Sequence, residues 1–558
     1  MKKDRMKSRN SRRPQRKSAH PGKILQKLKT RSGYVTVRSL ANSFENTNGC
    51  KCPSVSTLTA QKNVVKKNSK SDVISPSKRT RVSTASNNTH GALLNATVAY
   101  TSFKVSLKKR WIKDKSFSSA VGEFLTYPFK VVTIHQLLDS NDYLQTLAEE
   151  VLSLPFDFLC NDLHEFEQSQ DLFESPVDSP ALNAFLGLLK GPLHNWMQDV
   201  TGKKLSDKVT ATGSKYAYSN YLLCHDDNLS DRSIAFILYL SEDWSENDGG
   251  ALQLFNCNER DEPEKVVHSI VPAFGSFVFF EVTSQSYHQV QEIFSKSKVR
   301  LSINGWFHGD ELPVKPQVEI EGPKFLRPVS PKGCSFEKWL NPRYLVSEIH
   351  AEIKSDFGYD LSVNLPEFFL DSVYLDLELA LRKDSVVWER CGPAHQRNYE
   401  KAKLSSLPQN VQEFLKLLKS KYMFYFLSEV TVDINPDSKT TPLWHLEVQR
   451  WSPGDYTLVV DNDQSSEVTG IDIHLYFNVP EEIKRPFHCG TVRYLGPEKD
   501  SSGFLEQNAE VEPEKNALFL VAHIAGMKRV TKYIDHRENL CFHKIVATYS
   551  QGWCVSKV

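Results

Sequence analysis

From about Phe129 onward, apolar positions recur every three or four residues through VVTIHQLLDSNDYLQTLAEEVLSLPF, a helical period, with Asp139 or Ser140 available as the cap. A second amphipathic run follows, SPALNAFLGLLKGPLHNWMQDVTG, opened by Ser179-Pro180 and closed near Gly202. These helices are expected to brace the outside of a sheet. Between Ser214 and Gly309 the period changes to short β runs: YAYSNYLLC, SIAFILYLS, ALQLFN, VVHSIVPA, SFVFFEVT and VRLSINGWF. Turn punctuation at Asn247-Asp248-Gly249-Gly250 and Ala273-Phe274-Gly275 separates them. Many short strands with no helix between them predict an antiparallel sandwich or jelly roll. A Pro-rich linker is expected over 311–335, a helical block over about 336–428, and β text again from His445.

The second β text reads as a decayed copy of the first. YLLCHDDN lies on YTLVVDND, IAFILYL on IDIHLYF, GGALQLF on CGTVRYL, and IVPAFGSFVFFEV on VEPEKNALFLV. In that register His225 falls on Val460, Asp227 on Asn462, and His288 on Lys528. The fold class expected is therefore α+β: two tandem double-stranded β-helix (jelly-roll) domains, each braced by helices, over 96–310 and 336–558. Only the first is expected to be catalytic, because Val has no lone pair, Asn is a poor substitute for a carboxylate, and a protonated Lys repels a cation.

Charge adds a third region. The net charge is only +2, but the first eighty residues hold 21 Lys and Arg against 3 Asp and Glu. KKDRMKSRNSRRPQRK, VVKKNSK and SPSKRTR sit there among Ser, Asn and Thr, without the apolar density that offsets ordering entropy. Residues 1–95 are thus expected to form a disordered basic tail: a solvated leader, or one that contacts RNA or importin. No apolar h-region follows the N-terminal charges, and no stretch approaches the length of a membrane span. The ten cysteines lack paired zinc spacing and read as reduced thiols, which places the protein in the nucleus and cytoplasm.

The chemistry-bearing residues are His225 and Asp227 in YLLCHDDNLS, then His288 and Arg300 in YHQVQEIFSKSKVRLSINGWFHG. Two imidazoles and one carboxylate can bind one face of Fe(II) and leave the opposite positions open. On a strand, His225 and Asp227 would share a face. Arg300 and Ser302 would likewise share one and hold a carboxylate of a co-substrate, with Tyr239 on a neighbouring strand donating its hydroxyl to the same group and Tyr216 lining the pocket. Each residue taken singly is equally at home as a satisfied polar or packed group. Only the combination singles out an iron oxygenase using 2-oxoglutarate.

With NDLHEFEQSQDL, LLCHDDNLSDRSIAFILYL, GGALQLF, FFEVTSQSYHQVQEI and VRLSINGWFHG together, the chain over about 125–558 resembles the 2-oxoglutarate and iron-dependent oxygenase domain-containing protein 1 family. These are the ribosomal prolyl 3-hydroxylases, whose fungal relatives are named for termination and polyadenylation. The resemblance implies Fe(II) on His225, Asp227 and His288, and 2-oxoglutarate on Tyr239 and Arg300. It implies O2 as co-substrate, dependence on L-ascorbate, and C3 hydroxylation of a proline in a small-subunit ribosomal protein, with effects on translation termination and accuracy. Two other readings stay open: a cupin-like metal enzyme that does not use 2-oxoglutarate, and a non-enzymatic RNA- or ribosome-binding scaffold.

Overall fold

The runs between 205 and 309 are rich in β-branched, aromatic and leucine side chains that suit a pleated surface, and eight of them pair edge to edge around one interior. In the computed structural model, the described residues are 92–99, 101–174, 179–310, 324–331, 333, 335–434, 441–461, 468–480, 489–499, 505–537 and 540–550. The barrel strands are β1 (Leu205–Tyr216), β2 (Tyr221–His225), β3 (Arg232–Tyr239), β4 (Leu252–Cys257), β5 (Pro263–Ile270), β6 (Phe277–Glu281), β7 (His288–Val290) and β8 (Arg300–Gly309). All pair antiparallel, in the orders β1-β8-β3-β6 and β2-β7-β4-β5. A strand at His164–Gln168 pairs with both β1 and β2 and joins the two faces. This is a jelly-roll arrangement of two four-stranded faces.

Alternation on β8 sorts its side chains. Leu301, Ile303 and Phe307 face outward into a core shared with helices α1 (Thr101–Lys113), α2 (Asn141–Leu152), α3 (Pro180–Lys190) and α4 (Pro192–Thr201). Arg300, Ser302 and Trp306 point the other way, into the barrel. Phe277 and Phe279 of β6 are fully buried in the helix-facing core, where Trp196 of α4 packs edge-on against Phe279 at 5.9 Å. Truncating Phe277 to Ala would cost about 3–5 kcal/mol. Ser140 caps α2 by accepting the Tyr143 amide, Pro180 opens α3, and Gly202, at φ 70°, ends α4.

Several boundaries differ from the sequence reading. Val131–Ile134, read as helix, is a strand beside β6; its run of β-branched residues fits a pleated edge better than a helix. The run from 179 to 202 is two helices, broken at Gly191-Pro192. Asp227 lies beyond the end of β2, not on it. The block 336–428 contains strands Ser362–Pro366, Trp388–Cys391 and Arg397–Ala402 among its helices. Residues 1–91 of the expected tail and 311–323 of the expected linker lie outside the described residues. Leu94 bridges Leu138, and Leu326 bridges Trp444.

The C-terminal strands are β9 (Trp444–Trp451), β10 (Tyr456–Thr457), β11 (Gly470–Phe477), β12 (Val492–Lys499), β13 (Leu505–Val511), β14 (Ala517–His523), β15 (Lys528–Thr531) and β16 (Phe542–Ser550). Their orders are β9-β16-β11-β14 and β15-β12-β13, with β10 tied to β15 by the Thr531 amide donating to Thr457 Oγ1 at 2.7 Å. Helices α5 (Ser347–Asp360), α6 (Asp371–Leu381), α7 (Gln409–Leu418) and α8 (Lys421–Val430) share a core with Ile471, Ile473, Leu475, Phe477 and Ile545. The two strand sets touch directly. Tyr221 meets Tyr533 at 4.2 Å, Lys532 pairs with Glu165 at 3.1 Å, and Asp162 accepts the Val459 amide at 2.7 Å. Among the described residues no helix is long and apolar enough to cross a membrane.

Candidate active site

His225 ends β2 and His288 begins β7, and the two are directly opposed in the ladder, which sets their rings 4.3 Å apart. Asp227 reaches the same spot by another route than strand alternation. Two residues past the strand it adopts φ 60°, a left-handed conformation that Asp tolerates, and its carboxylate turns back onto the imidazoles. Oδ1 lies 3.7 Å from His225 Nε2 and Oδ2 lies 3.6 Å from His288 Nε2. One ligand atom from each residue falls within 4.8 Å of the others. Two atoms each about 2.0–2.2 Å from a single ion are at most about 4.4 Å apart, so the measured pairs need little adjustment to share one.

The tautomers are also prepared. His225 Nδ1 lies 2.8 Å from the Leu223 carbonyl and His288 Nδ1 lies 2.8 Å from the Ser286 carbonyl. A carbonyl only accepts, so Nδ1–H donates and each Nε2 keeps its lone pair aimed at the centre. Burial, aided by His225, pushes the His288 imidazole down to about 4 against the opposing pull of Asp227, so the ring is neutral at physiological pH. Burial would raise the Asp227 carboxyl, but His288, His225, Arg232 and the Trp306 indole together hold it below the usual range. Arg232 Nη1 donates to Oδ1 at 3.3 Å, and Trp306 Nε1 donates to Oδ2 at 3.1 Å. The Arg232 guanidinium in turn lies 3.5 Å over the Trp306 ring. Sequence reasoning missed both holders. Trp306 shares the inward face of β8 with Arg300 and Ser302 at even spacing, and that was the available signal.

The second half of the site is a cradle. Arg300 is 1% exposed, with its guanidinium 5.1 Å from the Tyr216 ring and 5.0 Å from the Tyr239 ring. Tyr216 is held by stacking on Phe166 at 4.5 Å. Arg300 pairs across the ladder with Tyr216, while Ser302 lies between Ser214 and Tyr239. Arg300 Nη1 reaches Ser302 Oγ at 3.5 Å. Among the described residues, Arg300 Nε and Nη2, the Tyr239 hydroxyl and the Ser214 hydroxyl are buried with no hydrogen-bond partner. A buried guanidinium left this way costs several kcal/mol, and a carboxylate would satisfy its two open N–H groups together with both hydroxyls. The donor set therefore fits the far carboxylate of 2-oxoglutarate. Ser214 was not foreseen, although it lies two residues before Tyr216 on the same face of β1. Room for the Arg300 stem comes from Gly250, at φ +69°, where a Cβ would sit 2.9 Å from Arg300 Cδ and 2.6 Å from Ile293 Cδ1.

Residues 211–308, which hold the three convergent ligand residues and the Arg300 cradle, match the 2OG-Fe(II) oxygenase superfamily model. Residues 332–553 match the oxoglutarate and iron-dependent oxygenase degradation C-terminal model. Prolyl 3-hydroxylase OGFOD1 of Xenopus laevis is 30% identical over 477 residues, covering 80% of this chain and 91% of that protein. The chain belongs to the OGFOD1 family of 2-oxoglutarate-dependent oxygenases. Prolyl 3-hydroxylase sudestada1 of Drosophila melanogaster is also 30% identical, covering 81% of this chain and 89% of that protein. Prolyl 3,4-dihydroxylase OGFOD1 of Ostreococcus tauri is 28% identical, covering 76% and 95%.

Among the described residues, the C-terminal positions aligned with the triad hold no equivalent cluster. Val460 is 57% exposed, and Lys528, at the start of β15 as His288 is at the start of β7, donates to the Asp461 carbonyl at 3.3 Å. Asn462 lies outside the described residues.

Proposed function

We propose that this protein is an Fe(II)- and 2-oxoglutarate-dependent dioxygenase that hydroxylates C3 of a proline in a small-subunit ribosomal protein, in the nucleus and cytoplasm, and so influences translation termination and accuracy. His225, Asp227 and His288 are assigned to the metal, and Arg300, Tyr239, Ser302 and Tyr216 to 2-oxoglutarate. The bound metal and co-substrate supply the oxidising power: O2 is divided between the proline carbon and succinate, and CO2 is released. The chain's own residues do the positioning. Arg300 neutralises and orients the far carboxylate, Tyr239 and Ser214 fix its rotation, and the apolar wall of Leu252, Leu254, Val278 and Phe280 keeps the interior dry. Arg232 and Trp306 fix the Asp227 carboxylate. L-Ascorbate is assigned the role of keeping iron reduced.

The observation that carries this reading is the orphaned cradle of Arg300, Tyr239 and Ser214 beside three convergent metal-ligating atoms. A cupin-like metal enzyme without 2-oxoglutarate would leave that guanidinium buried to no purpose. The domain partition proposed is a catalytic barrel over 96–310, a linker over 311–335 and a non-catalytic jelly roll over 336–558. The basic tail, 1–95, is proposed to be disordered and to serve importin or RNA contact. The test is to incubate the purified chain with Fe(II), 2-oxoglutarate, ascorbate and peptides of small-subunit ribosomal proteins, following succinate and peptide mass together. Succinate release matched by one added oxygen on a proline is expected. Turnover without 2-oxoglutarate, or oxygen on another residue, would overturn the assignment.

A further inference from the structure

The row Ser214–Ser302–Tyr239 across β1, β8 and β3 has a counterpart in the second strand set. Lys544 on β16 is opposed by Gln449 on β9 and by Tyr476 on β11, in the same strand order and with the same Tyr. Ile471, Ile473 and Ile545 on these strands face the helices, so by alternation Tyr476 and Lys544 face the interior. We propose that this interior is a second binding site, for a small carboxylate anion gripped by the Lys544 ammonium and the Tyr476 hydroxyl.

Lys544 is 3% exposed and Tyr476 1%. The amine sits 5.4 Å from the Trp451 ring and 5.8 Å from the Tyr476 ring. Among the described residues no carboxylate lies within ion-pair distance of it, and the Tyr476 hydroxyl has no hydrogen-bond partner. The acidic neighbours are engaged elsewhere. Asp472 accepts from Thr548 at 2.6 Å, Tyr494 at 2.9 Å and Arg529 at 3.2 Å, and Glu447 accepts from Gln449 at 2.8 Å and Tyr399 at 3.0 Å. His474, beside Tyr476, spends Nε2 on Tyr494 and leaves Nδ1 without a partner. A buried ammonium with no ion-pair partner among the described residues, held over two aromatic rings and next to an unused phenol, is the donor set of an anion site, as Arg300 and Tyr239 are in the first barrel. Burial and Arg529 push the lysine down to about 7, a penalty that a bound carboxylate would relieve. With Val460 exposed and Lys528 engaged on a carbonyl, no metal-ligating cluster accompanies it among the described residues, so the ligand would be held without being oxidised.

The test is equilibrium dialysis of radiolabelled succinate against the full chain in a chelator, with Arg300→Met removing the first cradle. The Arg300→Met protein is expected to bind one equivalent at millimolar succinate. Adding Lys544→Met should weaken that binding about ten- to hundred-fold, and Tyr476→Phe should weaken it less. Lys544→Met alone should leave hydroxylation unchanged, which also shows that it folds; Lys544→Arg, which keeps the charge, should retain binding. No succinate bound by Arg300→Met, or binding indifferent to both Lys544→Met and Tyr476→Phe, would overturn the second site.

Discussion

Glu292 ties the active site to the C-terminal half, and replacing it tests how far the second strand set supports catalysis. Four residues past His288, its carboxylate is 2% exposed. It accepts the Tyr533 hydroxyl at 3.1 Å, the His536 amide at 3.0 Å and His536 Nδ1 at 2.6 Å. The His536 side chain is half exposed, so its contribution is discounted for solvent screening. The Tyr533 and amide bonds are each worth about 1–1.5 kcal/mol, and Glu292→Ala would also strand a buried phenol. The expected destabilisation is about 3 kcal/mol. The same segment underlies the cradle: the Gly250 amide donates to the Glu292 carbonyl at 3.2 Å, Ile293 bridges Gly249, and both Ile293 and Arg300 pack where a Gly250 Cβ would be. Loosening it should displace the Arg300 stem and raise KM for 2-oxoglutarate about ten-fold, equivalent to about 1.4 kcal/mol, while kcat falls less. Urea denaturation and initial rates over a 2-oxoglutarate series measure both. Glu292→Gln, which keeps an acceptor oxygen, should fall between. An alanine variant with wild-type stability and KM would refute the idea that the C-terminal half holds this segment.

Asp227→Ala or His225→Ala should abolish turnover while leaving the circular dichroism spectrum unchanged; an active variant would remove the triad from the mechanism. Mn(II) at a hundred times its Kd should stabilise the wild type by about 2.7 kcal/mol and a His288→Ala variant by none, read as a melting shift. Gly250→Ala should raise KM for 2-oxoglutarate, because its Cβ meets Arg300 and Ile293 and its φ of +69° disfavours any side chain. The hydrogen bond that His536 donates to the Glu292 carboxylate raises the imidazole above its ordinary value of 6.5. The native state then binds the extra proton, so this latch is fully present below pH 6.5 and is lost as pH rises through the raised value. Stability of the wild type, but not of His536→Asn, should therefore show that alkaline decline.

How much of this was readable from the chain depends on what each feature rests on. The jelly roll follows from period-two alternation, which sends Leu301, Ile303 and Phe307 one way and Arg300, Ser302 and Trp306 the other. His-x-Asp, a later His and Arg-x-Ser stood out as a combination, and the fold brings His225, Asp227 and His288 to one spot. Asp227 was assigned for an incomplete reason: strand alternation does not bring it to the two imidazoles, a left-handed residue beyond β2 does, and no periodicity encodes that. Arg232 became a holder of Asp227 only once the fold set it over Trp306. Val131–Ile134 shows the opposite failure. Four apolar-rich residues fit either period, and the edge of β6 decided between them.

The positions of the triad and of the cradle differ in how much of the fold depends on them. His225 and His288 occupy β2 and β7, strands of five and three residues, and the matching β10 and β15 have two and four. Few ladder bonds and little apolar area depend on which side chains sit there, so exchanging His for Val or Lys costs the fold little. Tyr239 and Tyr476 instead sit on eight-residue strands in the middle of helix-braced sheets, flanked by side chains that carry the main core. Substitution there disturbs packing worth about 2–5 kcal/mol per large residue. Metal-ligating positions of this kind are thus energetically separable from the scaffold, whereas the row that holds Tyr239, and Tyr476 in the proposed second site, is built into it.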